Sequence, residues 1–292
     1  MIAALRPLRR LFYQIVGSQE QRRVLDRVRL RGHRPVIGQV KSVMYFAHAG
    51  LGNRLRAHMM AQLYAQRTGR TLLTGWVSSI HLGAGFTDLF AWDGPEKVPF
   101  ESIRCISYRK GDLSPQGDRQ DFQEEMVYFE PEWQFVDKEY LAAAMGEQDY
   151  LPAESLHPCA KLQARLDEIR RKWPSSMLGI HVRRGDFVTH SRQAISMERY
   201  VSSARKVLAS MAPETHVFLA SDASDEELQP LQDAFPNRID KRSVGSRESL
   251  DGAEDSLIDM MLLSSTQHLI LTPGSTFGEF AALYGRVPTT YA

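Results

Sequence analysis

The sequence predicts an α/β protein with parallel sheets, arranged in two Rossmann-like domains. Three observations carry that expectation. From Met177 onward, short apolar runs alternate with stretches of helical periodicity, the pattern of a parallel sheet covered by helices on both faces. Near residue 50 a strand, a glycine pair, a helix and a second strand follow in the same rhythm. A length of 292 residues, 43% hydrophobic and 24% charged, is enough for two cores of ordinary size in a globular protein.

Residues 1–40 read as a basic arm. Arg6, Arg9, Arg10, Arg22, Arg23, Arg27, Arg29, Arg31 and Arg34 precede Pro35 against only Glu20 and Asp26, an asymmetry that the net charge of +1 conceals. Such an arm suits an anionic membrane surface or an acidic acceptor. The plainer reading is a solvated amphipathic helix on the domain edge. No nucleic-acid motif or aromatic stacking pattern accompanies it, which speaks against nucleic acid as a partner. No apolar run approaches the roughly 18 residues needed to span a bilayer, and Arg6, Arg9 and Arg10 interrupt the stretch a signal peptide would need. Cys105 and Cys159 are the only cysteines, which fits a reducing compartment. The expected location is the cytoplasm, peripherally on the inner face of the membrane where the arm engages it.

Residues 41–158 read as an N-terminal α/β domain. Val43–Ala47 is its first strand, and Leu55, Met59 and Leu63 share one face of the helix that follows. Gly69 ends the helix, and Thr71–Thr74 is the next strand. From His81 to Tyr150 the pattern is irregular, with Phe86, Phe90, Trp92, Phe129, Trp133 and Phe135 scattered among turn residues.

Residues 159–292 read as a C-terminal Rossmann-like domain. Leu162, Leu166, Ile169 and Trp173 mark a joining helix. Strands are expected at Met177–Val182, His216–Ala220 and His268–Thr272, with a weaker one at Arg238–Asp240. Helices are expected at Met197–Met211, Asp225–Ala234, Asp255–Ser265 and after Thr276. Val287–Ala292 follows closely, where a strand and a closing helix are expected.

Ligands bind at the carboxyl ends of strands in such sheets, and four motifs fall there. Gly50-Leu51-Gly52-Asn53-Arg54 opens a helix, so its glycines permit close approach and its amides suit a phosphate; a tight βα turn explains it equally. His181-Val182-Arg183-Arg184-Gly185-Asp186 is more informative. Alternation sends His181 and Arg183 to one face and turns Arg184 into the loop. Two adjacent guanidiniums suit a diphosphate, with Asp186 orienting one of them; the alternative is an internal Arg–Asp pair. Ser221-Asp222 offers acceptors for a ribose hydroxyl or a base N–H, or else caps a helix together with Ser224. Thr272-Pro273-Gly274-Ser275-Thr276-Phe277 makes another anion cradle at a helix start, supported by Asp255 and Asp259 from the preceding helix. No Asp-x-Asp pair occurs, so the arginines are expected to neutralise the leaving group without a metal.

The order of these four motifs resembles the metal-independent fucosyltransferase superfamily, which includes α1,2-, α1,6- and protein O-fucosyltransferases. The resemblance covers residues 43–76 and 175–288. It implies a GT-B-like fold, no cofactor, GDP-fucose as donor substrate, a glycan acceptor and inversion at the sugar carbon. A bacterial surface polysaccharide or lipid-linked oligosaccharide suits the acceptor role. Carried over by position, Arg183 or Arg184 binds the β-phosphate, and Asp222 meets the guanosine part. Ser275, Thr276 and Phe277 close on the diphosphate, while Gly52 and Asn53 reach the donor from the first domain. Gly50, Arg54, His181, Ser221, Asp259 and Gly274 complete the expected donor-binding set. Some relatives carry an acidic base beyond the arginine motif, but here the stretch is Phe187-Val188-Thr189-His190-Ser191, so His190, His48 and Asp186 are the substitutes. Two other functions fit the same scaffold: transfer from another nucleotide sugar, and a non-catalytic nucleotide- or glycan-binding protein.

Overall fold

Continuous apolar runs become central strands because both faces of a parallel sheet are covered. In the computed structural model, which describes residues 42–47, 49–76, 78–92, 126–129, 156–185, 188 and 194–292, Met177–Val182 forms β4 with every residue buried. The preceding elements are β1 (Ser42–Ala47), α1 (Leu51–Thr68), β2 (Thr71–Trp76), the short α2 (Phe86–Leu89), β3 (Met126–Phe129) and α3 (Ala160–Arg171). After β4 come α4 (Met197–Leu208), β5 (His216–Ser221), α5 (Asp225–Ala234) and β6 (Ile239–Lys241). The chain then runs through α6 (Leu250–Leu263), β7 (His268–Leu271), α7 (Thr276–Gly285) and β8 (Thr289–Tyr291). The basic arm, His48, Cys105, Trp133, Phe135, Asp186 and His190 lie outside the described residues.

The chain divides into two units that interleave in sequence. One takes residues up to 46, 61–75 and 126–129; the other takes 47–60, 76–92 and everything described from 156 onward. The first carries the three-stranded sheet β2-β1-β3, with β1 and β3 parallel. Arg70 is buried there and donates from Nη1 to the Ser42 carbonyl at 3.2 Å.

The second unit holds a five-stranded sheet in the order β6-β5-β4-β7-β8, with every adjacent pair parallel. The chain winds outward from β4 to β6, crosses back, and continues on the other side as β7 and β8. The order therefore reverses between β4 and β7, the place where crevices open in such sheets. Leu178, Ile180, Val182, Val217, Leu219 and Ile270 pack with Tyr200, Leu228 and Leu231 as one core cluster.

Helix α6 is buried almost all round, as a helix apolar on most faces must be. It begins at Leu250 rather than at the expected Asp255, because Ser249 caps it by accepting the Gly252 N–H at 3.1 Å. The weak strand lies at Ile239–Lys241, one residue beyond its expected place, and Thr289–Tyr291 supplies the strand expected after the last motif. Part of the irregular stretch is explained by aromatic packing: Phe86 contacts Trp76, Phe90, Trp92 and His58, with ring centroids 4.7–5.3 Å away.

Candidate donor site

The four motifs supply most of the wall of one cavity of 540 Å³ at the carboxyl ends of β4, β5 and β7. Gly50, Gly52, Asn53, His181, Arg183, Ser221, Asp222, Asp259, Gly274, Ser275, Thr276 and Phe277 all line it. Arg54 and Arg184 are not among the lining residues. Asp186, His48 and His190 fall outside the described residues.

Two helix starts meet at this cavity. Gly50 opens α1, its carbonyl accepting the Asn53 and Arg54 N–H groups at 3.0 and 3.2 Å. At the other start, Ser275 N–H donates to the Thr272 carbonyl at 3.2 Å and Gly274 has φ +73°. That is a type II turn, with proline at its second position and glycine where positive φ is required. The two starts touch: a Cβ on Gly52 would lie 2.6 Å from the Thr276 carbonyl carbon. Both positive helix ends therefore bear on one space, which favours an anion.

Arg54 serves this loop from behind. It is fully buried, donating from Nε to the Ala49 carbonyl at 2.6 Å and from Nη2 to Ser79 Oγ at 2.9 Å. Its guanidinium also lies over the Trp76 ring at 5.6 Å, a cation–π contact. A neighbouring pair, Arg56 with Glu279, ties α1 to α7.

The two adjacent arginines part ways. Arg183 faces the cavity and pairs through Nη1 with Asp222 Oδ2 at 2.5 Å. Arg184 gives only its backbone N–H to Asp222 Oδ1, at 2.6 Å. The Arg–Asp pair thus exists, with Asp222 as the carboxylate. Asp222 is released from capping because Ser224 caps α5, in a reciprocal arrangement with Glu227. Ser221 Oγ is used internally, donating to the Val182 carbonyl at 2.9 Å and accepting the Ala223 N–H at 3.0 Å.

Behind Arg183, the buried Thr272 hydroxyl joins three elements. It accepts the Arg183 N–H at 2.8 Å, donates to the His181 carbonyl at 3.1 Å and meets Tyr200 Oη at 2.6 Å. With its donor used, it accepts from Tyr200. His181 stacks on Phe277 at 5.1 Å. Burial, and then the charge of Arg183, push its pKa down to about 3, so the ring is neutral and Arg183, not His181, carries the charge here.

Asp259 is the buried carboxylate of the wall, 4% exposed. Its Oδ1 takes Arg242 Nη1 at 2.5 Å. Burial pushes its pKa up to about 7 despite Arg242, and Asp255 adds to the rise. Sequence reasoning missed His81, Leu82, Val244, Arg247 and Ser256, which also line the cavity. Two signals pointed to some of them. Val244 and Arg247 follow the carboxyl end of β6, and Ser256 lies one helical turn before Asp259. His81 and Leu82 sit in the irregular stretch, where no signal exists.

Comparison with known families bears directly on this arrangement. The family model described as GDP-fucose protein O-fucosyltransferase matches residues 96–287, which is about two thirds of the chain. The chain belongs to this fucosyltransferase family. It is accordingly a glycosyltransferase, as the motif order implied. Among solved structures, it is similar to the NodZ α-1,6-fucosyltransferase soaked with GDP-fucose, at 21% identity and TM-score 0.60, over 84% of this chain and 92% of that one. NodZ from Bradyrhizobium aligns in the same way, at 20% identity, TM-score 0.58 and 84% and 93% coverage. A GDP complex of a FUT1 variant from Arabidopsis thaliana aligns at 18% identity and TM-score 0.56, over 99% of this chain and 78% of that one. POFUT1 in complex with GDP aligns at 12% identity and TM-score 0.56, covering 89% and 99%. At these identities the likeness speaks for the fold, and the α/β, GT-B-like class expected for this fucosyltransferase-family chain holds. No curated protein matches the sequence.

Proposed function

We propose that this protein transfers fucose from GDP-fucose to a glycan acceptor with inversion, using no metal ion to hold the diphosphate. One observation carries the reading: Arg183 and two helix N-termini line the same cavity at the sheet's reversal point. In this reading the β-phosphate lies against Arg183 and the amides of Ser275–Phe277, with Gly50, Gly52 and Asn53 on the opposite wall. Asp222 and Asp259 offer carboxylate oxygens to the O–H and N–H donors of the guanosine part. The acceptor hydroxyl attacks the fucose anomeric carbon as the bond to the β-phosphate oxygen breaks. GDP leaves with the electron pair, and Arg183 with the helix ends stabilises the charge that develops. The acceptor proton passes to a base for which His48, Asp186 and His190 are the candidates. Arg54 acts as support for the glycine loop.

The acceptor fits a bacterial surface polysaccharide or lipid-linked oligosaccharide, with the arginine-rich arm on the inner face of the membrane and the enzyme in the cytoplasm. Among the described residues no helix is long and apolar enough to cross a membrane.

The test is titration calorimetry of GDP, without added metal, against the intact protein and two variants. Arg183→Ala should lose at least about 1.5 kcal/mol of binding, the worth of charge-assisted hydrogen bonds, and Arg184→Ala clearly less. UDP should bind more weakly than GDP. A folded protein that ignores GDP, or an Arg183→Ala variant that binds it equally well, overturns the donor-site assignment. UDP binding without GDP binding moves the reading to another nucleotide sugar.

A further inference from the structure

Asp259 presents two oxygens to two different environments. Its Oδ1 is taken by Arg242, while Oδ2 carries no hydrogen bond among the described residues, on a side chain that lines the cavity. A carboxylate in this place offers an acceptor to a ligand only while it is ionised, and ionisation at 4% exposure is unfavourable without a cation beside it.

Arg242 is that cation, and it is itself fixed. It sits in the loop between β6 and α6, and its Nη2 donates to Asp255 Oδ1 at 3.0 Å. It thus bridges two carboxylates one helical turn apart on α6. Asp255 Oδ1 also takes Arg165 Nη2 from α3 at 2.8 Å. The Gly245 N–H approaches Asp255 Oδ2 at 3.5 Å. Burial raises the Asp255 pKa, but the hydrogen bonds from Arg165 and Arg242 outweigh it and hold the carboxyl below its ordinary range. The chain of ion pairs therefore runs from α3 through α6 to the cavity wall.

We propose that Arg242 is the positioning residue for this carboxylate: it favours the ionised form of Asp259 and leaves the second oxygen available to the cavity, while Asp255 and Arg165 hold it in place. The proposal rests on the donor-site reading above and adds to it a residue that touches no ligand.

Among the charged groups around Asp259, Arg242 is the cation bonded to it. Arg183, His181, Asp222 and Arg247 line the same cavity, and Arg183 is paired with Asp222. From α3, Lys161 and Arg165 are engaged by Glu254 and Asp255. From α7, Glu279 is engaged by Arg56. On α2, Asp88 accepts the Gly85 N–H. Asp255 on the same helix opposes ionisation, and Arg242 favours it.

The experiment is GDP titration across pH with the full chain and its Arg242→Met, Arg242→Lys and Asp259→Asn variants. With the intact protein, affinity should rise as pH passes through about 7, where Asp259 ionises. In Arg242→Met the rising limb should move up by about one to three pH units, the effect of removing an adjacent opposite charge. Affinity at neutral pH should then fall by about fivefold or more, since a rise of one unit takes the ionised fraction at pH 7 from about one half to about one eleventh. Arg242→Lys should restore most of the limb, and Asp259→Asn should abolish it. An affinity loss in Arg242→Met that is equal at every pH marks a merely structural role and overturns the proposal. So does an unchanged profile. If Arg242→Met does not fold, Arg165→Met loosens the same arginine through Asp255 and should move the limb in the same direction, by less; no movement overturns the proposal. An intact protein that binds no GDP at any pH takes the donor-site reading down and this proposal with it. GDP binding with an unmoved limb sinks the positioning role alone.

Discussion

The loop that opens α1 and the loop that opens α7 both leave a strand, turn at glycine and present a helix start to the cavity, yet their glycines answer different needs. Gly274 has φ +73°, and the type II turn at Thr272–Ser275 depends on it. Gly50 and Gly52 are not among the glycines with positive φ. Nothing lies within 4 Å of a Cβ built on Gly50, whereas one on Gly52 would strike the Thr276 carbonyl carbon at 2.6 Å and the Phe277 nitrogen at 2.7 Å. One loop uses glycine for conformation, the other for space. The difference teaches that these loops are not two independent anion cradles. The first is shaped by the backbone of the second, and the Arg56–Glu279 pair fixes their helices to each other.

Of the effects on the two loops, the largest comes from cutting that tie. Arg56 is 95% buried and its carboxylate partner 81% by side chain, from exposures of 5% and 19%. Arg56→Met should cost roughly 3 kcal/mol of stability, the penalty for leaving one member of a buried pair alone. Adding Glu279→Gln should recover part of it, and denaturant unfolding of the single and double variants reads the difference. A double variant as unstable as the sum of the two singles would mean that the helices are held by packing alone. Next in size is Gly52→Ala, which should cost about 1–3 kcal/mol as overpacking against backbone and weaken GDP binding beyond what stability explains. Gly50→Ala should leave both nearly unchanged. Gly274→Ala should cost about 1–2 kcal/mol, the penalty of left-handed backbone for an ordinary residue. Asparagine divides the loops further. It tolerates the left-handed region, so Gly274→Asn should be milder than Gly274→Ala, while Gly52→Asn should be worse than Gly52→Ala. The same ranking at both sites would erase the distinction between conformation and space.

The sequence disclosed the scaffold where apolar continuity is unambiguous. Met177–Val182 coincides with β4, Asp225–Ala234 with α5, and the buried face Leu55, Met59 and Leu63 with α1. It misplaced the start of α6, which takes in Gly252. Here glycine is required by close approach, a Cβ lying only 2.0 Å from the Ser246 carbonyl oxygen. Among the site residues, strand-end logic brought twelve to one cavity but could not rank the arginines. Alternation fixes the face of a side chain on a strand, and Arg183 and Arg184 lie beyond the end of β4. Nor could it separate Arg54 from its motif, since burial under Trp76 depends on a contact 22 residues away in sequence. Arg242 and Arg247 follow a strand of three residues that the sequence signals only weakly, in a loop where no periodicity applies.

A pH-dependent effect isolates the cavity's buried carboxylate from both loops. Asp259 has its folded-state pKa raised from 3.8 to about 7, chiefly by burial. A raised pKa means that the folded state binds the proton more tightly than the unfolded chain does. Its contribution to stability is therefore fully present below the unfolded value and is lost as pH climbs through about 7, with a slope of at most about 1.4 kcal/mol per pH unit. Carboxylates with depressed values, such as Asp255, act in the opposite sense, so the whole-protein curve mixes the two. The difference between the intact protein and Asp259→Asn removes that mixture. Measured as Tm against pH, the gap should open in favour of the variant between about pH 4 and 7 and stay level above it. The variant would thus be the more stable protein at neutral pH and the poorer binder of GDP, as expected where a site keeps a charge that folding alone disfavours. A gap that stays constant across this range would mean that Arg242 keeps Asp259 ionised throughout, with burial the weaker influence.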